Sequence, residues 1–399
     1  MKRPRILVLC SRFPEPPIGG ERLRIYRICR ELARHASLDL LTFCETESER
    51  TTRSESGMFD SITRVDLNPI GARVRALAAV LGKEPLQLSY YRTRSFEAAL
   101  QARLHGYDAV LGHLIRMAEY IKSPIPGMVR ILEATDAISL NYSRTPAGLE
   151  SRSAKVLAYR IENKRLLQYE RTLPRKFDLV SFVSAIDVDF LYPSRPANVV
   201  VASNGVDPDQ FPFSGPGRDR RIVFIGNVTS EQNFDACVFF AKSVMPLLGE
   251  FHFDIIGRIP QQKASALARF PRVRIHGEVP AVSIHATGAF AAVCPVRMGA
   301  GVQNKVLEYL AMGLPTVSTS VGMEGLQVAH ERELLRADGP QQMADAVRRL
   351  WLDTALSQRL AAAGRDYVLQ NHSWRQALSP LMEAILNAVE RRSLRPVET

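Results

Sequence analysis

Lys305 and Glu308 stand three residues apart in the stretch RMGAGVQNKVLEYLAMGLPTVSTSVGMEGL, residues 297–326. That spacing is close to one helical turn, so an ammonium and a carboxylate share one face and can converge on one ligand. Gly299 and Gly301 form a loop ahead of them, and Gly313 with Pro315 stops the helix predicted over Val302–Met312. A glycine loop entering a helix N-terminus offers N–H groups and the positive end of the helix dipole to an anion. A cation beside a carboxylate there suits a ligand carrying both phosphates and hydroxyls. An ordinary α/β turn with a surface salt bridge has the same spacing, so the surrounding elements must decide.

Those elements alternate. Short apolar runs predict strands at Arg5–Cys10, Leu38–Phe43, Ile62–Leu67, Ala109–His113, Val129–Leu132, Leu179–Val183 and Asn198–Val201, with helical stretches between most of them. Strand–helix alternation of this kind argues for a doubly wound parallel sheet. After the first strand, a Pro/Gly loop ends in Gly19 and Gly20 and a helix follows, a phosphate-friendly βα unit without the GxGxxG fingerprint. The two glycines would also serve simply to shape the turn.

Prolines at 193, 196, 208, 212 and 216 mark a change of character. A second strand series follows at Ile222–Ile225, Phe253–Ile256, Val273–His276, Ala291–Cys294, Thr316–Ser318 and Leu334–Arg336. We therefore read two α/β domains, residues 1–198 and 199–375, facing across a cleft, with a terminal helix and tail over 376–399 that can pack back on the first domain. The loops after the second series, FIGNVTSEQN, IIGRIP, HGEVP and the opening stretch, lie at the sheet edge where ligands bind.

At 399 residues the chain exceeds one ordinary core, and an apolar share of 46% with 23% charged residues fits a soluble globular protein. No apolar run has the length of a membrane span, and the first strand from Arg5 leaves no leader peptide expected before it. Five scattered cysteines without a CxxC pair read as reduced core residues in a cytoplasmic protein. The net charge of +11 is uneven: residues 1–198 hold 31 Lys+Arg against 22 Asp+Glu, a balance of +9, and the rest hold 21 against 19. A basic first half suits an anionic membrane surface or a phosphorylated substrate better than nucleic acid, because no zinc-finger spacing or RNP-type strand accompanies it. Within it, residues 72–81, ARVRALAAVL, place Val74, Leu77, Ala78 and Leu81 on one stripe flanked by Arg73 and Arg75. Such a stripe packs on a core or lies on a membrane.

Two Asp-x-Asp strings, Asp187 to Asp189 and Asp207 to Asp209, invite a metal reading. Ser184 three residues before Asp187 resembles a helix cap, and the second string sits in turn-rich sequence. The eight histidines show no zinc-ligand spacing, and neither a GxSxG elbow nor a P-loop is present. No metal or other cofactor is expected.

SNGVD at 203–207, the GN...N loop at 226–233, IIGRIP at 255–260, HGEVP at 276–280 and GAGVQNKVLEYLAMGLPTVSTS at 299–320 together resemble glycosyltransferase family 4. PPIGGERLRIY at 16–26 and VSAIDVDFL at 183–191 are similar to that family's bacterial exopolysaccharide-associated sugar transferases. The resemblance implies a GT-B fold, with a nucleotide-diphosphate sugar (UDP- or GDP-linked) held by the second domain and an acceptor by the first. It also implies transfer with retention of configuration and without metal.

By the same resemblance, Glu308 holds the ribose hydroxyls, and Gly299, Ala300 and Gly301 approach the donor sugar and its β-phosphate. Gly226 and Asn227 lie beneath the diphosphate, while Gly277, Glu278 and Val279 bracket the base. Ala300 stands where the family has a first acid, and GNVTSEQN lacks the family's Arg/Lys pair, so Lys305, supported by Arg258 or Arg297, must supply the charge. In the first domain His113 matches a histidine that reaches the donor sugar, and Arg116 and Asp136, with the loop at Gly19 and Gly20, are acceptor-side candidates. A lipid-diphosphate acceptor at a membrane surface fits the basic balance. A sugar-nucleotide epimerase on the same fold and a catalytically silent nucleotide-sugar binding protein are the alternatives.

Overall fold

The computed structural model describes residues 3–144, 154–299 and 301–394. The chain divides into two units, Met1–Ala202 with Leu378–Thr399, and Ser203–Ala377.

The first unit is built on a seven-stranded sheet: β1 (Arg5–Cys10), β2 (Ser37–Cys44), β3 (Ser61–Asp66), β4 (Ala109–His113), β5 (Val129–Thr135), β6 (Leu179–Phe182) and β7 (Val199–Val201). Its order is β3-β2-β1-β4-β5-β6-β7, with every pairing parallel. Because β7 pairs with β6, the first unit runs through Ala202 and past the proline change at 193. Central strands covered on both faces need continuous apolar runs, and Ile6–Cys10 is fully buried accordingly.

The second unit holds β8 (Asp219–Ile225), β9 (His252–Ile256), β10 (Val273–Gly277), β11 (Ala289–Cys294), β12 (Thr316–Ser318) and β13 (Leu335–Arg336), in the order β10-β9-β8-β11-β12-β13 and again all parallel. Both units are doubly wound and Rossmann-like. Strand order reverses between β1 and β4 in one and between β8 and β11 in the other. These are the switch points, where the loops on either side diverge and open a crevice at the carboxyl edge. The last helix, Trp374–Ser393, starts in the second unit, and from Leu378 the chain belongs to the first.

The apolar stripe of the first unit faces outward. On the helix Pro69–Ala78, Ile70, Val74 and Leu77 are 73%, 61% and 73% exposed, and only Ala72 is buried. The part of the expected stripe formed by the Leu81 side chain lies outside what the structure describes. Both Asp-x-Asp strings have local duties. The Ser184 hydroxyl accepts from Ile186 N at 3.1 Å to cap Ala185–Leu191, and Asp187 accepts from Ala137 N at 3.0 Å. Asp207 accepts from Asp209 N at 3.3 Å within a turn.

Candidate functional site

The switch point of the second unit gathers the glycine loops. After β8 the chain turns through Gly226 and Asn227. The Asn227 side chain accepts from Thr229 N at 3.0 Å, and its carbonyl accepts from Asn233 Nδ2 at 2.9 Å. Ser230 then caps the helix Glu231–Phe239 by accepting from Asn233 N. After β11 the loop reaches Gly299, whose φ of +122° few side-chain-bearing residues adopt, and where a Cβ would fall 2.4 Å from Gln232 Nε2. Ala300 lies outside the described residues.

The helix that follows, Asn304–Met312, carries the two charged residues and ends on Gly313 in the left-handed conformation. Lys305 is buried, 8% exposed, with its ammonium 5.6 Å from the centre of the Phe224 ring and donating to Gln303 Oε1 at 2.8 Å. A Cβ at Gly226 would meet Lys305 Cε at 3.3 Å, which places the lysine directly against the first loop. An ammonium has three donors, and Gln303 is its one hydrogen-bond partner among the described residues.

Glu308, one turn on, is partly buried and accepts no hydrogen bond from any described residue. Burial pushes its carboxyl up to about 7, with Lys305 pulling weakly the other way. The two side chains do not form the surface salt bridge that spacing alone allowed. One is a buried cation and the other a carboxyl at the surface of the same crevice. Two further polar atoms there are buried without a partner among the described residues, Gln232 Nε2 and Asn233 Oδ1.

The remaining candidates of this unit stand around that centre. Gly257 N donates to Gly277 O at 2.8 Å and Val228 N to Arg258 O at 2.8 Å, so the loops after β8, β9 and β10 are laced together through the backbone. Arg258 and Glu278 form a two-point ion pair at 3.1 and 2.9 Å, both exposed, beside Val279. Arg297 turns to Asp235, at 3.1 and 2.6 Å, and lies 4.5 Å over the Phe239 ring. Neither arginine supports Lys305 in this arrangement, because a carboxylate already holds each guanidinium.

Several contributors escaped the sequence reading. Gln303 orients the lysine. Lys263, from the helix Gln261–Leu267, donates to Thr229 O at 2.9 Å and to Glu231 at 2.8 Å, bringing a cation to the first loop from a neighbouring element. Asn204 Nδ2 donates to Asn304 Oδ1 at 2.8 Å, tying SNGVD to the helix start. Only the Asn of SNGVD hinted at such a role.

In the first unit, His113 ends β4 with its ring buried. Its Nδ1 is 2.8 Å from Glu133 Oε2, which also accepts from Thr135 Oγ1 at 2.7 Å, while Glu133 Oε1 accepts from Arg24 Nε at 2.7 Å. Burial alone would raise the Glu133 carboxyl, but Arg24 and these hydrogen bonds hold it down to about 2. An ionised carboxylate only accepts, so His113 Nδ1 carries the proton. Nε2 is buried and unpartnered among the described residues. Leu114 and Thr135, just past or at the ends of β4 and β5, have φ of 69° and 68°, uncommon for residues with side chains.

Gly19 and Gly20 open the helix Gly20–Leu32, whose first-turn Glu21 takes both nitrogens of Arg116 at 3.1 and 3.2 Å. Asp136 is partly buried, and burial together with neighbouring Asp187 pushes its carboxyl well up. His113, Arg116, Asp136 and the Gly19–Gly20 turn thus share the carboxyl edge of one sheet.

Solved structures with the same architecture span nearly the whole chain. Sucrose-phosphate synthase from Thermosynechococcus elongatus is 16% identical, with TM-score 0.73 over 98% of this chain and 99% of that one. HepE from Anabaena, solved in complex with UDP, is 12% identical, with TM-score 0.66 over 96% and 100%. WaaG, a glycosyltransferase involved in lipopolysaccharide biosynthesis, is 15% identical, with TM-score 0.65 over 95% and 99%. Residues 219–353 match the family model described as Glycosyl transferases group 1. The chain has the GT-B fold, and the 219–353 stretch of its second unit is similar to the Glycosyl transferases group 1 family.

Proposed function

We propose that this protein is a retaining family 4 glycosyltransferase that moves a sugar from a nucleotide-diphosphate sugar to a glycan or lipid-linked acceptor in bacterial polysaccharide biosynthesis, without a metal. The observation that carries this reading is Lys305, a buried ammonium with one hydrogen-bond partner among the described residues, set against Gly226 at the switch point. Cleaving the bond from the anomeric carbon to the β-phosphate oxygen leaves the electron pair on the diphosphate. The acceptor hydroxyl forms the new bond to that carbon and gives its proton to the departing diphosphate oxygen. A fixed cation and aligned N–H donors stabilise the charge as it develops. Glu308 takes the ribose hydroxyls, and the loops at Gly226–Asn227 and Gly299–Gly301 face the diphosphate and sugar.

Association with the inner face of the plasma membrane belongs to the same reading. Among the described residues no helix is long and apolar enough to cross a membrane. The outward stripe Ile70, Val74 and Leu77 beside exposed Arg73 suits shallow seating on an anionic bilayer.

The test is acceptor-stimulated nucleotide release by purified protein with UDP- and GDP-sugars, using lipid extracts and glycans as acceptors, with and without EDTA. UDP-sugars come first, since HepE was solved with UDP and with UDP-glucose. Product of retained configuration by NMR, formed equally in EDTA, is the expected result. Donor interconversion without acceptor would replace the reading with an epimerase, and donor binding without release with a silent binding protein.

A further inference from the structure

The start of the helix Asn304–Met312 is fastened from outside. Gln303 holds the N-cap position, where a side chain ordinarily accepts from the first free amides of a helix. It makes no such cap and meets the Lys305 ammonium at 2.8 Å instead. The turn that carries Lys305 therefore lacks a side-chain cap of its own. Asn304, between the two, accepts at Oδ1 from Asn204 Nδ2 at 2.8 Å, across 100 residues of sequence.

Asn204 is itself firmly held. It is 8% exposed and stands where the chain enters the second unit, one residue after Ser203. A backbone carbonyl only accepts, so His372 Nδ1 donates to the Asn204 carbonyl, at 2.9 Å. His372 Nε2 lies 2.8 Å from the Tyr367 hydroxyl, which accepts from Gln327 N at 2.9 Å. Beside it, Val206 N donates to His372 O at 2.8 Å, and a Cβ on Gly205 would fall 2.6 Å from Trp374 Cα. The entering and leaving passes of the chain pack directly against each other, which fixes the backbone from which the Asn204 amide reaches Asn304. A cation that meets charge only as a bond breaks has to be in place beforehand, and a displacement of about 1 Å can cost about 10²-fold in rate.

We infer that Asn204 is a positioning residue for Lys305: its amide holds Asn304, and with it the uncapped first turn, so that the ammonium stays set against Gly226. This rests on the glycosyltransferase reading and adds to it a residue outside the glycine loops.

Two measurements on the full chain test it. Hydrogen exchange read by mass spectrometry needs no ligand. Asn204→Ala should speed exchange at residues 306–309 about fivefold, Asn304→Ala should do the same, and the double variant no more than either, while β8 and β11 keep the parent rate. Acceptor-stimulated nucleotide release from UDP-glucose and GDP-mannose is the second measurement. Asn204→Ala should lower kcat about tenfold with KM within about twofold, and should lower it less than twofold in a Lys305→Ala background. Unchanged exchange at 306–309, exchange raised throughout the second unit, or losses in kcat that multiply in the Asn204→Ala, Lys305→Ala double variant would overturn the inference. A parent that releases nucleotide from neither donor would count against the glycosyltransferase reading instead, and the exchange result would still decide whether Asn204 anchors the turn.

Discussion

The Tyr309 hydroxyl accepts from the amide of Ile225, the last residue of β8, at 2.8 Å and reaches back to the carbonyl of the same residue at 3.4 Å. The helix bearing Lys305 and Glu308 is thereby pinned to the strand that leads into the first glycine loop. Tyr309→Phe keeps the ring but leaves a buried N–H unsatisfied. A loss of about 1–3 kcal/mol in urea unfolding is expected. A change within a few tenths would mean the contact contributes nothing to stability.

Lys305→Ala should lower turnover far more than donor affinity, because the charge it meets grows only as the sugar–phosphate bond breaks. The expected fall in kcat is about 10²-fold or more. A kcat within about threefold of the parent would end the assignment.

In the proposed donor site, Glu308 links binding to pH. Its carboxyl titrates near 7 in the folded chain, above its ordinary value, so the folded state binds the proton more tightly than the unfolded one. Its contribution to stability is therefore fully present below the ordinary Glu range, near 4.5, and lost as pH rises through 7, by at most about 3 kcal/mol. The parent minus Glu308→Gln difference in unfolding free energy should fall across that window. Calorimetry should show UDP affinity rising more steeply from pH 6 to pH 8 in the parent than in the variant, where only the terminal phosphate of UDP titrates in that range. Equal pH dependence of UDP binding in both proteins would refute the ribose role.

Glu133 behaves in the opposite sense. Its carboxyl is held down to about 2, so the stability it confers is present above the ordinary Glu range and fades as pH falls toward 2. Glu133→Gln removes the carboxylate that meets Arg24, 1% exposed, at 2.7 Å, and should cost about 3–5 kcal/mol at neutral pH. Thermal unfolding at pH 7, and across the window from pH 4 down toward pH 2, measures both statements.

If the outward stripe seats on lipid, Val74→Glu with Leu77→Glu should abolish co-sedimentation with phosphatidylserine vesicles at unchanged Tm. Both positions are exposed, so no core contact is lost. Undiminished sedimentation would exclude the stripe.

The parts legible in the sequence were those with a local signature. Continuous apolar runs such as RILVLC and AAVC announced buried parallel strands, the second of which begins two residues earlier in the structure, and glycine placement announced the loops at their ends. What stayed hidden was pairing at a distance. Arg24 and Glu133 are 109 residues apart, and nothing near either shows that a basic helix residue ends in the core. Arg297 reads as a cation beside a glycine loop until Asp235, 62 residues earlier, is folded against it. Helical spacing put Lys305 and Glu308 on one face correctly. It could not show that Gln303 holds the ammonium inside while Glu308 accepts no hydrogen bond from any described residue. For the 69–78 helix, periodicity identified the stripe but not whether anything covers it.

A Cβ at Gly257 would stand 2.2 Å from the carbonyl oxygen of Gly226, in a residue whose φ is +131°. Main chain rests on main chain there, with no room for adjustment by exchanging a side chain. Neither loop can shift alone, so any adjustment of this crevice to a different ligand falls to side chains at its rim, such as Arg258 and Glu278, which stand in solvent, and not to the two turns.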